Sequence, residues 1–505
     1  MSVKKVLVLL VIVAVAAVLR LYQLGSIPPS LDWDEASLGW NAYSILKTGS
    51  DEYGKPVPVS LRSFNDFKPA LYAYAAIPSI VVFGLNEFSV RLPSAMAGIL
   101  TVLVAFLLVR KLTNDELLGY WVTGLLAISP WHIQFSRGAF EANLALFFFV
   151  LGIYFLLKFL DKERGFFFLL STFSFMLSIY SYHSSRVVIP IFLMGITIVY
   201  RKIFLRNWRG LILNSLFIIL LIYPLVRNTF HTGALSARYQ TVAAKLEPVT
   251  IVKNYLSHFD LNFLFVTSDG QDRHHAPGVG LLYLAELPFL LAGFYFLVKN
   301  RPAWLPFLLV WFLSGPTAAA LANDTPHAIR SLLFLPTWQI VIAYGILKSF
   351  KLPKYLKLLM VMLFLANIFY FLHQYFVHLP KETARAWQYG YKQVVQKVLA
   401  LENNYGRVYV TSTYDQPYIY FLFYGRVAPT IKNSGYFYAN FDKYQFSYGD
   451  INYRGLYILS SKDNLPDGYN LKIIDTVIFL TGRRRLELVQ YEGHEATSFD
   501  NNSGV

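Results

Sequence analysis

Long apolar runs separated by short basic clusters dominate the chain, and they predict helices that cross a membrane. The first run extends from Val6 to Leu19 behind Lys4 and Lys5. Others cover Leu92 to Val109, Leu117 to Ile133, Leu144 to Leu160, Phe166 to Ser181, Val187 to Tyr200 and Leu211 to Val226. Four more lie at Val279 to Val298, Ala303 to Ala320, Ser331 to Leu347 and Leu356 to Tyr375. The basic clusters are Arg110-Lys111, Lys158 to Arg164, Arg201 to Arg209, Lys299 to Arg301 and Lys348 to Lys357, and two runs separate each from the next. Placing every cluster in the cytoplasm, with the N-terminus beside them, gives a consistent register of about eleven spans.

One apolar stretch sets that register. Pro69 to Gly84 would be roughly 24 Å long as a helix, short of the ~30 Å hydrocarbon core, and Pro78 shortens it further. It predicts an interfacial or re-entrant helix. Residues 21–91 then form one outer loop and residues 227–278 another. Within the first loop, Glu35 to Thr48 predicts a helix with Asp32 or Asp34 as its N-cap and Gly49 as its stop.

From about Val377 the pattern turns soluble, with a helix expected over Glu382 to Leu401. β-like runs follow at Arg407 to Thr411, Gly455 to Ser460, Leu471 to Phe479 and Leu486 to Tyr491. The expected architecture is an α-helical polytopic membrane domain, residues 1–376, followed by a small extracytoplasmic α/β domain, residues 377–505. The expected location is the cell membrane.

Composition strengthens this reading. The 505 residues are 55% hydrophobic and only 15% charged, with a mean hydropathy of +0.43, whereas soluble domains carry closer to a quarter charged residues. The net charge of +15 is a topology signal, because its residues fall between spans, and no nucleic-acid partner is expected. The chain has no cysteine, which excludes disulfides, thiolate nucleophiles and cysteine metal sites.

The remaining polar residues collect at the outer ends of the spans. Asp32, Asp34 and Glu35 crowd where the chain first emerges, and a helix cap needs only one acid. His183–Arg186 and His327–Arg330 share a spacing of three. If helical, each pair aims an imidazole and a guanidinium at the same ligand, and arginine forks bind phosphate. Lys68 precedes the short helix, while Arg137 and Glu141 lie between two spans, spaced to pair with each other. Asp269, Asp272, His274 and His275 are metal-capable residues of a polar loop.

The motifs Trp33-Asp34-Glu35, Lys68-Pro69, Glu87 to Ser94, Ser129-Pro130 to Ser136-Arg137 and Pro326-His327-Ala328-Ile329-Arg330 carry a resemblance. They are similar to those of the polytopic GT-C glycosyltransferases, specifically the protein mannosyltransferase and aminoarabinose transferase branch. The resemblance implies a GT-C-like fold and inverting transfer of a sugar from a polyprenyl-phosphate donor to an acceptor hydroxyl at the outer face. The acceptor is a glycan, protein or lipid, and membrane lipid is a further partner. Asp34 maps onto the family's base, with Glu35 as its catalytic neighbour.

Lys68, Arg137, His183, Arg186, His327 and Arg330 are the expected donor-phosphate ligands, with Asp32 and Glu141 as further site candidates. No cofactor is required by this chemistry. If a divalent metal takes part, Asp32, Asp34, His274 and His275 are its candidate ligands. Two alternatives stay open: a metal-dependent transferase or ligase acting on a lipid-pyrophosphate oligosaccharide, and a lipid or glycan transporter.

Overall fold

The computed structural model describes residues 2–64, 66–232, 247–351, 353–414, 416–429, 440–446, 455–460, 471–478 and 485–491. The chain is mostly helical. It opens with α1 (Val3–Leu21), α2 (Trp33–Thr48), a hairpin of β1 (Ser60–Ser63) and β2 (Asp66–Pro69), and α3 (Leu71–Phe83). The bundle continues through α4 (Glu87–Thr113), α5 (Glu116–Ile128), α6 (Pro130–Arg137), α7 (Glu141–Lys162), α8 (Gly165–Ser181), α9 (Ser185–Val199), α10 (Arg201–Arg206) and α11 (Trp208–Thr232). Later apolar helices cover Leu287–Asn300, Leu305–Ser314, Thr337–Lys348 and Lys354–His373.

Four helices among the described residues are long and apolar enough to cross a membrane: Glu87–Thr113, Glu141–Lys162, Trp208–His231 and Lys354–Glu382. The first two are mostly buried and form the centre of the bundle, whereas the last two expose apolar side chains nearly all round. Helices that present Leu216 and Leu220, or Met362 and Phe369, outward suit a hydrocarbon solvent. The central core joins Leu126, Trp131, Phe149, Trp311 and Trp338, with Phe149 edge-on to Phe192 at 5.6 Å and to Trp311 at 5.8 Å.

Several expected runs are interrupted, each for a local reason. The run Leu117 to Ile133 breaks at Ser129, which ends α5 and caps α6 by accepting from His132 N–H, because the residue before Pro130 avoids the helical region. The run Val279 to Val298 becomes α-helical only at Leu287, after a 3₁₀ turn over Leu284–Glu286, and that from Ala303 to Ala320 divides at Gly315-Pro316. The Pro69–Gly84 stretch forms α3, whose 13 residues extend only about 20 Å.

The C-terminal strands form one six-stranded mixed sheet. They are β3 (Val408–Val410), β4 (Asn440–Phe441), β5 (Tyr444–Gln445), β6 (Gly455–Ser460), β7 (Leu471–Ile478) and β8 (Arg485–Tyr491), in the order β4-β5-β3-β6-β8-β7. β3 runs parallel to β5 and β6, and the other pairs are antiparallel. The helix expected over Glu382 to Leu401 starts only at Tyr391, after Gly390, whose φ of 116° suits glycine. Helix Pro417–Tyr424 packs on α2, so that Tyr418, Leu422 and Phe423 share a core with Trp40, Ala42 and Tyr72. Part of the second outer loop (233–246), Phe479 and the tail 492–505 lie outside the described residues.

Candidate active site

The N-terminus of α2 builds the site. Asp32 is its N-cap: Oδ1 accepts from Glu35 N–H at 2.7 Å, while Glu35 Oε2 accepts from Asp32 N–H at 3.2 Å. This capping box sends the neighbouring acids in different directions. Glu35 is buried and saturated: it receives Arg91 Nε and Nη2, each at 2.9 Å, and Ala139 N–H at 2.7 Å. Arg91 in turn donates to the carbonyls of Leu24, Pro28 and Ser30. The pair therefore ties α2, α4 and the segment after α1 together.

Asp34 remains the open acid, its side chain 39% exposed. It faces a cavity of about 420 Å³, where it meets Lys68 in an ion pair. Lys68 is delivered by the β1–β2 hairpin, whose register sets it opposite Leu61. Burial pulls its ammonium down, but Asp34, Glu141 and Asp32 outweigh this and hold it above its ordinary range.

Asp32 is buried beneath Asp34, and Arg273 Nη1 donates to its Oδ2 at 2.5 Å. Burial, with Asp34 and Glu35 adding, pushes the Asp32 carboxyl above its ordinary range despite Arg273. Glu141, His183, His274, His327 and Arg330 are among the other polar residues that line the cavity.

Both expected histidine–arginine pairs depart from helical geometry. His183 precedes α9, so the two members separate: His183 Nε2 lies 2.9 Å from the Phe67 carbonyl in the cavity wall, whereas Arg186 lines an apolar groove between α9 and α11. His327 and Arg330 stand in a turn between helices, yet both reach the cavity. Burial and Arg330 hold the His327 imidazole well below its ordinary range, so its ring contributes no charge there. Arg330 Nη1 is buried without a hydrogen-bond partner in the protein.

Arg137 is directed elsewhere. It donates to the carbonyls of Leu19, Tyr22 and Ile27 and sits over the rings of Tyr375 and Phe376 at 5.4 and 5.1 Å. Its expected pairing with Glu141 does not form, because α6 ends at Arg137 and α7 begins at Glu141, so helical spacing does not apply. Among the metal candidates, Asp32 and Asp34 are engaged by Arg273 and Lys68, and His275 Nδ1 lies 2.8 Å from the Ala276 carbonyl. His274 instead joins Asp269 and His327.

Arg273 and Arg91, which hold Asp32 and Glu35, are not distinguished as site residues by the sequence. Arg273 lies 241 positions from Asp32, and its only local signal is its place in a run of metal-capable residues. Arg91 stood within a motif but carried no assigned role.

A family model for dolichyl-phosphate-mannose-protein mannosyltransferases matches residues 10–230. The crystal structure of ArnT from Cupriavidus metallidurans in the apo state aligns with a TM-score of 0.62 at 11% identity, covering 96% of this chain and 98% of ArnT. ArnT bound to undecaprenyl phosphate aligns at 0.59 and 13% identity, covering 96% and 97%. No curated protein matched by sequence. The chain thus shares the fold of ArnT, and residues 10–230 are similar to the mannosyltransferase family. Its long apolar helices support a membrane location.

Proposed function

We propose that the protein transfers a sugar from a polyprenyl-phosphate donor to an acceptor hydroxyl at the outer face of the membrane, with inversion at the anomeric carbon. The observation that carries this reading is Asp34, the most exposed acid of its cluster, which pairs with Lys68 in the wall of a cavity that Arg330 also lines. The acceptor oxygen attacks the anomeric carbon, its proton passes to Asp34, and the bond to the phosphate oxygen breaks, releasing polyprenyl phosphate. Lys68 and Arg330 stabilise the departing phosphate. A buried guanidinium nitrogen without a protein partner is costly, and an anionic ligand at Arg330 resolves that cost.

The likeness to ArnT, solved with undecaprenyl phosphate, supports a lipid-phosphate donor. Glu35 acts here as a positioning residue, since Arg91 and Ala139 take up its oxygens.

Replacing Asp34→Asn tests the reading. Transfer should fall by about 10²–10⁴-fold, the usual worth of a general base, while donor binding persists. Unchanged transfer would remove Asp34 as the base. Normal lipid or glycan transport with no sugar transfer by the unaltered protein would favour a transporter.

A further inference from the structure

The helix Lys354–His373 is fastened to the bundle along its C-terminal half. There Asn367 Oδ1 accepts from Ala285 N–H at 3.2 Å, and Tyr283 packs edge-on against Phe364 and Phe371 at 6.1 and 6.0 Å. Toward its N-terminal end the helix stands off from α5 and from the helices Leu287–Asn300 and Thr337–Lys348. A cavity of about 400 Å³ lies between them, lined by Trp121, Phe289, Ile346, Met360 and Phe364. A second, of about 330 Å³, adjoins it through Trp121 and Phe364 and is bounded by Ile12 of α1 and by Gly124 and Ile128 of α5. Together they make one apolar groove on the flank of the bundle.

The groove has a cationic mouth. Lys357 is the one charged residue in its described lining. Its Nζ donates to the Phe350 carbonyl at 3.1 Å, which fixes the ammonium there and leaves it two further N–H donors. Lys354 stands one turn before it and Lys348 ends the preceding helix, both exposed. No Asp or Glu occurs from Thr337 to Lys381, and the one acid of α5, Glu116, is taken by Lys5 and Arg110. The mouth is also far from the catalytic end. From Lys354 to Tyr375 a helical path rises about 30 Å, the thickness of the hydrocarbon core. Tyr375 lies under Arg137, which donates to carbonyls around the end of α1.

We propose that this groove holds an anionic phospholipid from the leaflet opposite the catalytic end, with an acyl chain along the apolar walls and its phosphate at Lys357. Hydrocarbon is the solvent that reaches such a wall in a bilayer, and lysines with no acid to pair favour an anionic headgroup over a zwitterionic one. The lipid packs beside the helix that leads to Tyr375 and onward to the C-terminal sheet, so it supports the aromatic partners of Arg137 from the far side of the membrane. It stands independently of the transfer reaction, since it concerns binding alone.

The test uses the delipidated full chain in detergent, titrated with phosphatidylglycerol or with phosphatidylcholine of the same acyl chains, bound lipid being counted by native mass spectrometry. One phosphatidylglycerol per chain should bind severalfold more tightly than phosphatidylcholine. It should also raise the unfolding temperature, because a ligand confined to the folded state stabilises it. Lys357→Gln should weaken that binding about fivefold, the worth of one lysine at an anionic surface. Gly124→Leu should weaken it too while the chain stays folded: a Cβ at Gly124 meets nothing within 4 Å, and leucine favours a helix over glycine, so the new side chain occupies groove space alone. Lys202→Gln, on α10 and outside the groove, should bind as the unaltered chain does. Equal affinity for the two lipids overturns the proposal, as does unaltered phosphatidylglycerol affinity in either Lys357→Gln or Gly124→Leu. Displacement of phosphatidylglycerol by undecaprenyl phosphate would assign the groove to a polyprenyl chain and overturn it as well.

Discussion

The Arg91–Glu35 pair should hold the site in shape rather than take part in the chemistry, and a double-mutant cycle separates these roles. Both side chains are buried, and Arg91 makes five hydrogen bonds, two to Glu35 and three to the carbonyls of Leu24, Pro28 and Ser30. Arg91→Met leaves Glu35 as a buried carboxylate held only by Ala139 N–H and Asp32 N–H. Breaking such a pair costs about 3–5 kcal/mol. Each abandoned carbonyl adds about 1–3 kcal/mol where water cannot reach it.

Adding Glu35→Gln removes the stranded charge, so the double variant should recover part of that loss, with a coupling energy of about 2–3 kcal/mol. The measurement is thermal unfolding in lipid nanodiscs, accompanied by donor binding and turnover. Turnover should fall in Arg91→Met because Asp34 sits one residue from Glu35, whereas donor affinity should change little. A double variant no more stable than Arg91→Met would show that the stranded charge is not the dominant cost.

Two further outcomes follow from other parts of the site. Lys68→Met should cost about 1.5–3 kcal/mol of transition-state stabilisation, the worth of a charged hydrogen bond, and so lower kcat/KM for the donor about ten- to a hundredfold; Arg137→Met, which touches only carbonyls and rings, should instead lower the unfolding temperature, and a larger kinetic effect for Arg137 than for Lys68 would reverse the assignment. Glu52, buried between Asn41 and Tyr418, is pushed up to about 7 chiefly by burial, so the folded chain keeps a proton that the unfolded chain releases near 4.5; stability should fall as pH rises from about 4.5 to about 7. Glu52→Gln should flatten that slope and raise the unfolding temperature at pH 8, and an unchanged pH profile would refute the cause.

What was legible in the sequence was what local rules govern. Gly49 stops α2 at φ 73° and Asp32 caps it, because capping depends on residues within one turn. The apolar runs marked the bundle, but their ends depended on Ser129-Pro130 and Gly315-Pro316, where local backbone preference overrides a continuous hydrophobic pattern. The histidine–arginine spacing misled for a related reason. An interval of three places two side chains on one face only inside a helix, and His183 lies just outside α9. The least legible part was the division of labour among Asp32, Asp34 and Glu35. Their partners are Arg273, Lys68 and Arg91, drawn from the second outer loop, a hairpin and a central helix. No periodicity within the acidic cluster encodes which acid each cation reaches. Asp34 is open because two arginines distant in sequence occupy its neighbours, so its proposed role as the base is a property of the assembled fold.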